Sequence, residues 1–422
     1  MSLRRCIYSA LLHGFVPLAV LRLLWRGIRQ RGYLHHIPER FGFYSVAIEQ
    51  PVIWLHTVSV GETRAAEPLV KALCRRWPDH HILLTHMTPT GRETSRQVFG
   101  DQVSRCYLPY DLPFAVARFL SCFEPRLGLL LETEIWPNLI HASRARSIPL
   151  YLVNARLSER SAHGYARFAQ FTRETLQQLA GVAAQTNADA RRLAGLGAPD
   201  VRVCGNIKFD RSPRPEDLEL GQRLRAWFGT RPVFLAASTR ENEEQHVLDA
   251  VELAAVPDLL TVVVPRHPQR FDAVARLLTE RGLSFQRRST EQPVAAGTKV
   301  VLGDSMGELY AYYAGCDIAF IGGSLLPLGG QNLLEACAVG KPVLVGPHTF
   351  NFEEATNLAI AAGAALGVQN ARQLGETLEE LFADADRRRR MGEAGLAFMR
   401  QHQGATERIV ALLEPRQTAP RR

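Results

Sequence analysis

The sequence predicts an α/β protein in which two Rossmann-like domains follow an apolar N-terminal helix. The chain has 422 residues, which is too long for one ordinary core and fits two domains of roughly 200 residues each. Short apolar runs alternate with amphipathic stretches in both halves, a pattern typical of parallel sheets covered by helices. An uncharged stretch near the start of the chain is flanked by arginines.

We expect residues 1–30 to form a membrane-associated helix. From Cys6 to Val20 the chain carries no charge, and arginines stand on both sides of this stretch. No small-residue cleavage site follows, and the stretch is shorter than the roughly 20 residues that span a bilayer. Residues 21–25 bring it near that length, but a helix lying in the membrane interface explains the pattern at least as well as a spanning helix. A buried structural helix is the other alternative. The arginines that lead into the domain predict that it stays on the cytoplasmic face.

The two domains are predicted from two series of buried strands. In residues 31–212 the apolar runs PVIWLHT, HILLTHM, RLGLLLETE and PLYLVNA alternate with helix-like segments. The pattern restarts at RPVFLAAST and continues through LLTVVVPRH, TKVVLGD, CDIAFIGGS and KPVLVGP. A link rich in proline and charge places the boundary near Pro213, so the second domain covers residues 213–422. Ligands of such sheets bind beyond the carboxyl ends of the strands, so motifs there carry most weight.

Charge and cysteine content limit the possible partners. The formal charge of +8 comes mainly from arginine and indicates phosphate-rich partners such as nucleic acid, anionic lipid or an anionic small molecule. We expect no nucleic acid, because the sequence has no zinc spacing, basic heptad region or aromatic RNA-binding signature. Seven scattered cysteines without a C-x-x-C pair argue against a disulfide framework and indicate the reducing cytosol.

The first strand ends in HTVSVGE, residues 56–62, directly before a predicted helix. Gly61 allows the backbone to turn tightly, and Glu62 then lies at the edge of the sheet where ligands bind. The letters from Ser59 to Glu62 also match a capping box, in which the glutamate only bonds back to the start of its helix. The sequence leaves both interpretations open.

A second acidic pair, Glu132 and Glu134, follows the apolar run 127–131. Two carboxylates two residues apart on an extended chain face the same way, and their repulsion raises one pKa, which suits proton transfer. In the alternative interpretation Glu134 caps the next helix, and Glu132 pairs with an arginine.

Three segments of the second half follow predicted strands and could bind an anionic nucleotide. In the first, Pro265 precedes Arg266, which can pair with a phosphate but could also be a solvated side chain in a rigid turn. In the second, Met306, Gly307 and Glu308 open a predicted helix, whose free amides can bind an anion or a base edge.

The third segment, residues 322–336, is rich in glycine and is the strongest of the three. The pair Gly322 and Gly323 permits close approach of the backbone to a ligand. A predicted helix start near Asn332 presents its positive end to phosphate, and Glu335 can accept hydrogen bonds from ribose hydroxyls. The spacing is not the G-x-G-x-x-G of dinucleotide enzymes, which counts against an oxidoreductase.

We expect no metal or other cofactor. The sequence has no H-E-x-x-H cluster and no D-x-D pair at a strand end. Cationic side chains and helix ends would then stabilise the leaving phosphate, and Arg266, Lys208 and the helix at Met306 could do so.

The segments HTVSVGE, THMTPTGRE, ETEIWPNL, NARLSERS, GNIKFD, VVPRHPQRF, GDSMGELY and GGQNLLEA, in this order, resemble the 3-deoxy-D-manno-octulosonic acid (Kdo) transferases of bacterial lipopolysaccharide assembly. The resemblance implies an inverting GT-B glycosyltransferase at the cytoplasmic face of the cell inner membrane. It implies CMP-Kdo as the donor substrate, and a lipid A precursor, lipid IVA, as the acceptor.

The resemblance also implies roles for individual residues. Glu62 matches the general base of the family, and Glu132 and Lys208 match positions that support the transition state. The CMP-binding positions of the family match Pro265, Arg266, Met306, Gly307, Glu308, Asn332, Leu333, Leu334 and Glu335. The chain departs from its relatives at residues 331–334, where a histidine and then Asn-Pro-Leu-Glu are common.

Two other functions are alternatives to this one. A non-catalytic lipid-binding protein would explain the N-terminal helix but not the acidic pairs and the nucleotide segments. A soluble sugar-nucleotide epimerase would explain the two domains but not the N-terminal helix.

Overall fold

The structure is a computed structural model that describes residues 3–46 and 48–414. The chain divides into two compact units, and the divisions fall between Arg211 and Ser212 and between His402 and Gln403. Each unit contains one seven-stranded sheet, in which all paired strands are parallel. The predicted α/β class with two Rossmann-like domains is therefore confirmed.

The first unit has the strand order β3-β2-β1-β4-β5-β6-β7. Its strands are β1 Val52–His56, β2 His81–His86, β3 Val103–Tyr107, β4 Leu127–Leu131, β5 Leu150–Ala155, β6 Gly181–Ala184 and β7 Val201–Val203. Its α-helices before the first division of the chain are α1 Leu3–Arg29, α2 Val60–Ala65, α3 Glu67–Arg76, α4 Pro89–Phe99, α5 Pro113–Phe123, α6 Pro137–Ala145, α7 Glu159–Ala166, α8 Ala169–Leu176 and α9 Asn187–Gly195.

The second unit has the strand order β10-β11-β9-β8-β12-β13-β14. Its strands are β8 Val233–Thr239, β9 Leu260–Pro265, β10 Phe285–Arg287, β11 Val300–Leu302, β12 Ile318–Ile321, β13 Val343–Val345 and β14 Ala365–Gly367. Its helices are α10 Pro215–Phe228, α11 Glu243–Leu253, α12 Phe271–Glu280, α13 Leu309–Gly315, α14 Leu334–Ala338, α15 Glu353–Ala361, α16 Ala371–Ala383 and α17 Ala385–His402.

The central strands are buried on both faces, which explains why they read as continuous apolar runs. All five residues of β1 are buried. Ile53 and Leu55 belong to the core on one side of the sheet, whereas Val52 and Trp54 belong to the core on the other side. This alternation is what a strand with helices on both faces requires.

In each sheet the strands are added first on one side of the sheet's first strand and then on its other side, which creates a switch point there. In the first unit this switch point lies between β1 and β4, and in the second it lies between β8 and β12. Open α/β sheets bind ligands beyond the carboxyl ends of the strands at such a point. Glu62 follows β1 and Glu132 follows β4, so the two predicted acidic sites meet at the switch point of the first unit.

The last helix, α18 Ala405–Leu413, belongs to the first unit. The prediction that the second domain continues to the C-terminus was wrong for this helix, and residues 415–422 lie outside the described residues. Ile409 and Leu412 pack into the core of the first unit. The carboxylate of Asp210 also accepts hydrogen bonds from the amides of Gly404 (2.7 Å) and Thr406 (2.6 Å). Apolar burial and these amide contacts hold α18 on the first unit.

Helix α1 is long and apolar enough, by length and composition, to cross a membrane. Many of its large apolar side chains are exposed, and we call the following set the outer stripe: Leu3, Ile7, Leu11, Phe15, Leu18, Leu21, Trp25 and Ile28. The buried residues of α1 are Ser9, Leu23 and Gly27. Ser9 and Gly27 are five helical turns apart and so share one face. The helix therefore lies along its own unit with the outer stripe turned away.

Candidate active site

Glu62 lies in the first turn of α2, directly after the loop that leaves β1. Its carboxylate accepts hydrogen bonds from the amide of Val58 (2.8 Å) and the hydroxyl of Ser59 (3.0 Å). The amide of Glu62 donates to Ser59 Oγ at 3.4 Å. These are largely the contacts of a capping box. The difference is that the carboxylate bonds to the amide of Val58, which precedes the cap residue, and not to the amide of Ser59 itself.

The surroundings of Glu62 also change the pKa of its carboxyl. The pKa of its carboxyl is raised to about 7, mainly by burial and also by the charges of Glu132 and Glu134, against the hydrogen bonds from Val58 and Ser59, which lower it. A carboxyl group that titrates near neutral pH can accept a proton during catalysis and release it afterwards. The same side chain can therefore hold its loop and act as a base.

The second acidic pair has a different backbone from the one predicted. Glu132 has a φ of +60°, so the chain turns there, and the prediction of an extended chain was wrong. Glu132 Oε1 lies 3.3 Å from Lys208 Nζ. The carboxylate of Glu134 accepts a hydrogen bond from Trp136 Nε1 (2.8 Å), and burial raises its pKa. The structure thus brings Glu132 and Lys208 together and places both glutamates near Glu62.

The alternative interpretation of the second pair does not match the structure. Glu132 pairs with a lysine rather than an arginine. Helix α6 is capped by Asp111, whose carboxylate accepts hydrogen bonds from the amides of Asn138 (2.9 Å) and Leu139 (2.8 Å). Asp111 was missed in the sequence, because it lies 27 residues from the helix it caps and follows no motif spacing.

A buried chain of hydrogen bonds holds the loop between β1 and α2. The hydroxyl of Thr63 donates to the carbonyl of Ser59 (2.8 Å) and lies 3.1 Å from the hydroxyl of Thr57. Thr57 must donate to Thr63, since the hydrogen of Thr63 is already used. His86 Nδ1 lies 3.1 Å from Thr57 Oγ1 and 3.0 Å from its carbonyl, so this nitrogen carries the proton. Burial lowers the pKa of His86 to about 4, which keeps it neutral.

In the second unit, Pro265 and Arg266 lie at the carboxyl end of β9. Pro265 is buried, and the amide of Arg266 donates to the carbonyl of Thr239 (2.9 Å) at the end of β8. Burial lowers the pKa of the neighbouring His267, and the charges of Arg240 and Arg266 lower it further. Two arginines therefore stand at the ends of adjacent strands, where they could bind an anionic group.

Met306, Gly307 and Glu308 form the approach to α13, which begins at Leu309. Met306 is exposed, and Gly307 has a φ of +85°. The carboxylate of Glu308 accepts hydrogen bonds from the hydroxyl of Ser305 (2.6 Å) and from Arg288 Nη2 (3.3 Å). Arg288 is buried, but it was not predicted, because its neighbours in the sequence do not distinguish it from the many exposed arginines.

The backbone amides at the glycine pair 322–323 and just after it bond to a carboxylate of the same unit. The carboxylate of Glu243, at the start of α11, accepts hydrogen bonds from the amides of Gly323, Ser324 (3.0 Å) and Leu325 (3.0 Å). Glu243 is fully buried. The sequence suggested that this backbone is open to a ligand, but these three amides are already occupied by a carboxylate of the same unit.

The last predicted segment begins its helix two residues later than expected. Helix α14 starts at Leu334, and Asn332 Oδ1 accepts a hydrogen bond from the Leu334 amide (3.2 Å). Leu333 and Leu334 are buried, so only their backbone groups could contact a ligand. Glu335 is half-buried, and Asn332 Nδ2 lies 3.4 Å from its Oε1. Among the predicted residues 332–335, Asn332 and Glu335 are the two whose side chains could bind a polar ligand.

No group of three or more histidine, cysteine, aspartate or glutamate side chains that could hold a metal ion is found within residues 3–46 and 48–414. All seven cysteines are free thiols.

Comparison with known proteins defines first the class of this protein. Residues 35–211 match the family model of the 3-deoxy-D-manno-octulosonic-acid transferases (kdotransferases), and residues 245–398 match the model of glycosyl transferases group 1. The solved structure of a UDP-GlcNAc 2-epimerase from Neisseria meningitidis is similar in fold, with a TM-score of 0.57 and 19% identity, covering 86% of this chain and 99% of that one. The fold is that of GT-B glycosyltransferases, and the protein is a glycosyltransferase.

Two relatives narrow this class to one family. The 3-deoxy-D-manno-octulosonic acid transferase of Bordetella pertussis is 44% identical and covers 97% of this chain and 99% of its own length. The transferase of the same name from Haemophilus influenzae is 41% identical and covers 97% and 98%. The chain belongs to the 3-deoxy-D-manno-octulosonic acid transferase family.

Proposed function

We propose that this protein transfers Kdo from CMP-Kdo to a lipid A precursor, lipid IVA, in an inverting reaction without a metal or another cofactor. The observation that carries the proposal is the carboxyl of Glu62, whose pKa is raised to about 7 at the switch point of the first sheet. Kdo transfer is the activity that names the family, and the donor and acceptor are the ones implied by the motifs.

The reaction is a single displacement. A hydroxyl oxygen of the acceptor forms a bond to the anomeric carbon of Kdo, while the bond from that carbon to the CMP phosphate oxygen breaks. The hydroxyl proton passes to Glu62, and CMP leaves as an anion. Lys208 holds Glu132 at 3.3 Å, which limits the negative charge around the base.

The second unit supplies the groups proposed to bind CMP. Arg266 and the nearby Arg240 offer positive charge to the leaving phosphate. Glu308, fixed by Ser305 and Arg288, and Glu335 offer acceptors to hydroxyl or amino groups of the nucleoside.

We also propose that α1 attaches the protein to the cytoplasmic face of the inner membrane by lying in the interface. Near one end of the helix Tyr8 and Ser9 bond to the first unit, and near the other end Gly27 is buried against Leu34 in the segment that follows the helix. A helix in this position can bury its outer stripe in the lipid while Arg22, Arg26 and the other flanking arginines face anionic head groups.

The test combines product analysis with one substitution. Wild-type protein given CMP-Kdo and a defined tetraacyl lipid A precursor should release CMP and yield a Kdo-bearing lipid by mass spectrometry. Glu62→Gln keeps the size of the side chain and should lower kcat by about 10²–10⁴-fold. Glu93→Gln, on an exposed ion pair of α4, is the matched control and should be fully active. A fully active Glu62→Gln enzyme would exclude Glu62 as the base and direct attention to Glu132.

A further inference from the structure

We propose that Tyr8 and Ser9 of the N-terminal helix are positioning residues for the acidic loop 132–136, so that α1 supports catalysis as well as membrane attachment. This inference rests on the proposed function, because it assumes that the carboxylates near Glu62 take part in Kdo transfer.

The inner face of α1 meets the first unit through polar groups. The hydroxyl of Tyr8 donates to Asp111 Oδ2 (3.0 Å), and the hydroxyl of Ser9 donates to Asn138 Oδ1 (3.0 Å). The side-chain amide of Asn138 donates to the carbonyl of Asp111 (2.6 Å). Ser9, Asp111 and Asn138 are only 6%, 4% and 5% exposed. We call these four residues the polar ring; three are buried and Tyr8 is half-buried. Removing the Tyr8 hydroxyl takes one donor from Asp111 Oδ2, and removing the Ser9 hydroxyl takes the donor from Asn138 Oδ1.

The polar ring acts on the start of α6. The cap residue of α6 is Trp136, and its side chain does not bond to the free amides of the helix. Asp111 does so instead, through the amides of Asn138 and Leu139. A helix end that depends on a distant carboxylate stays in place only while that carboxylate is held. Tyr8 donates one hydrogen bond to it, so α1 helps to fix where α6 begins.

The start of α6 in turn fixes the acidic loop. Trp136 directly precedes the first residue of α6, and its ring nitrogen donates to Glu134 at 2.8 Å. The Trp136 ring also packs edge-on against His56, at the end of β1, with 6.1 Å between the ring centres. Glu134 and Glu132 lie close enough to Glu62 for their charges to act on it. A displacement at the start of α6 would therefore also displace the acidic loop, because Glu134 lies two residues before Trp136.

Membrane attachment alone does not need these contacts. The outer stripe supplies the apolar surface, and an anchor could pack against its domain through apolar side chains. On this helix, however, two consecutive polar residues, Tyr8 and Ser9, bond to a cap carboxylate and to a first-turn asparagine. The two faces of α1 can therefore be tested separately.

The experiment compares inner-face and outer-stripe variants of the full-length protein. The double variant Tyr8→Phe with Ser9→Ala keeps the apolar surface and should sediment with anionic vesicles like wild type. Its kcat on a detergent-dispersed acceptor should fall about 10- to 100-fold, because small displacements of catalytic groups have effects of this size. The KM for CMP-Kdo should stay unchanged, since the donor residues lie in the other unit.

The control variants give the opposite or no effect. Leu11→Ser with Phe15→Ser, on the outer stripe, should lose vesicle binding and keep its kcat in detergent. Tyr33→Phe, which removes a hydroxyl just after α1 that the polar ring does not use, should match wild type in both assays. Wild-type kcat in the inner-face variant would overturn the inference. A general loss of folding lowers the apparent kcat and leaves the KM unchanged, so a melting curve must show that the inner-face variant is folded at the assay temperature. A fall in kcat no larger than the unfolded fraction explains would also overturn the inference. Neither result would affect the Glu62 test of the proposed function.

Discussion

Lys208 Nζ lies 3.3 Å from Glu132 Oε1, and both side chains are partly exposed, at 30% and 27%. Ion pairs of this kind typically add no more than about 1 kcal/mol to stability. The pair is therefore better explained by the site than by the fold. Glu132 is one of the charges that raise the pKa of Glu62, and Lys208 partly neutralises it.

The first prediction concerns the pH dependence of kcat/KM. The rate should rise with pH through about 7, since Glu62 must lose its proton to act as a base, and its pKa is raised to about 7. Glu132→Gln removes a nearby negative charge and should move this rise to lower pH. Lys208→Met leaves Glu132 uncompensated and should move it to higher pH. Initial rates across the neutral range check both shifts. An unchanged pH profile in both variants would rule out coupling between the pair and the base.

The second prediction concerns stability at Glu62. Its pKa is raised from 4.5 to about 7, so the folded protein holds this proton after the unfolded chain has lost it. Between these pH values folding becomes less favourable as pH rises, and the full cost is present above the folded pKa. Glutamine cannot ionise, so Glu62→Gln should be more stable than wild type above neutral pH, by on the order of 1–3 kcal/mol.

Melting temperatures at several pH values check this second prediction. The difference between variant and wild type should shrink as the pH falls toward 4.5, where both side chains are uncharged. A variant that is less stable than wild type at alkaline pH would show that the carboxylate is retained for capping rather than for chemistry.

The third prediction concerns the hydrogen-bond chain beneath the Glu62 loop. Thr57→Val removes the hydroxyl that links His86 to Thr63 without changing the shape of the side chain. We expect a loss of about 1–3 kcal/mol in stability, because buried polar groups lose their partner, together with a lower kcat. Thr57→Ser keeps the hydroxyl and should restore both.

Ser143→Ala is the matched control for this third prediction. It deletes a buried hydroxyl of the same unit that has no hydrogen-bond partner, so its effect should be small. Urea unfolding and steady-state rates on the three variants provide the test. If Thr57→Val and Ser143→Ala behaved alike, the chain would have no special role in holding the loop.

The strands and their carboxyl-end motifs could be predicted from sequence because burial on both faces leaves a continuous apolar run. β1 and β4 are fully buried, and the first charged residues after them are the two glutamates. Glu62 and Glu132 therefore stood out. The position of Lys208 beside Glu132 could not be obtained in this way, since the two residues are 76 positions apart. The resemblance gave both a role at the transition state but did not imply that they pair.

The supporting residues were missed for a different physical reason. Asp111 and Glu243 bond to backbone amides that are 27 and 80 residues away. A backbone amide has no side-chain signature, so no spacing in the sequence records such a contact. The unit to which α18 belongs was mispredicted for a similar reason. Its apolar face is typical of any amphipathic helix and does not show which core it joins.

The last prediction concerns CMP binding by the second unit. Among the predicted donor residues, Glu335 combines a half-buried carboxylate with a place in the first turn of α14. Leu333 and Leu334 are buried, and the amides of Gly323 and Ser324 are occupied by Glu243. A ribose hydroxyl would therefore depend strongly on Glu335 as its acceptor.

Glu335→Ala should weaken CMP binding by roughly 1.5–3 kcal/mol, the usual contribution of a hydrogen bond to a charged group. Calorimetric titration with CMP measures this change directly. Glu354→Ala, which removes an exposed glutamate from the first turn of α15 in the same unit, is the matched control and should bind CMP like wild type. A cytidine titration separates the contributions, because cytidine keeps the ribose and lacks the phosphate. Glu335→Ala should weaken cytidine and CMP by the same factor, whereas Arg266→Met should weaken CMP alone. Unchanged CMP affinity in Glu335→Ala would remove this residue from the donor site and leave Glu308 as the candidate acceptor for the ribose.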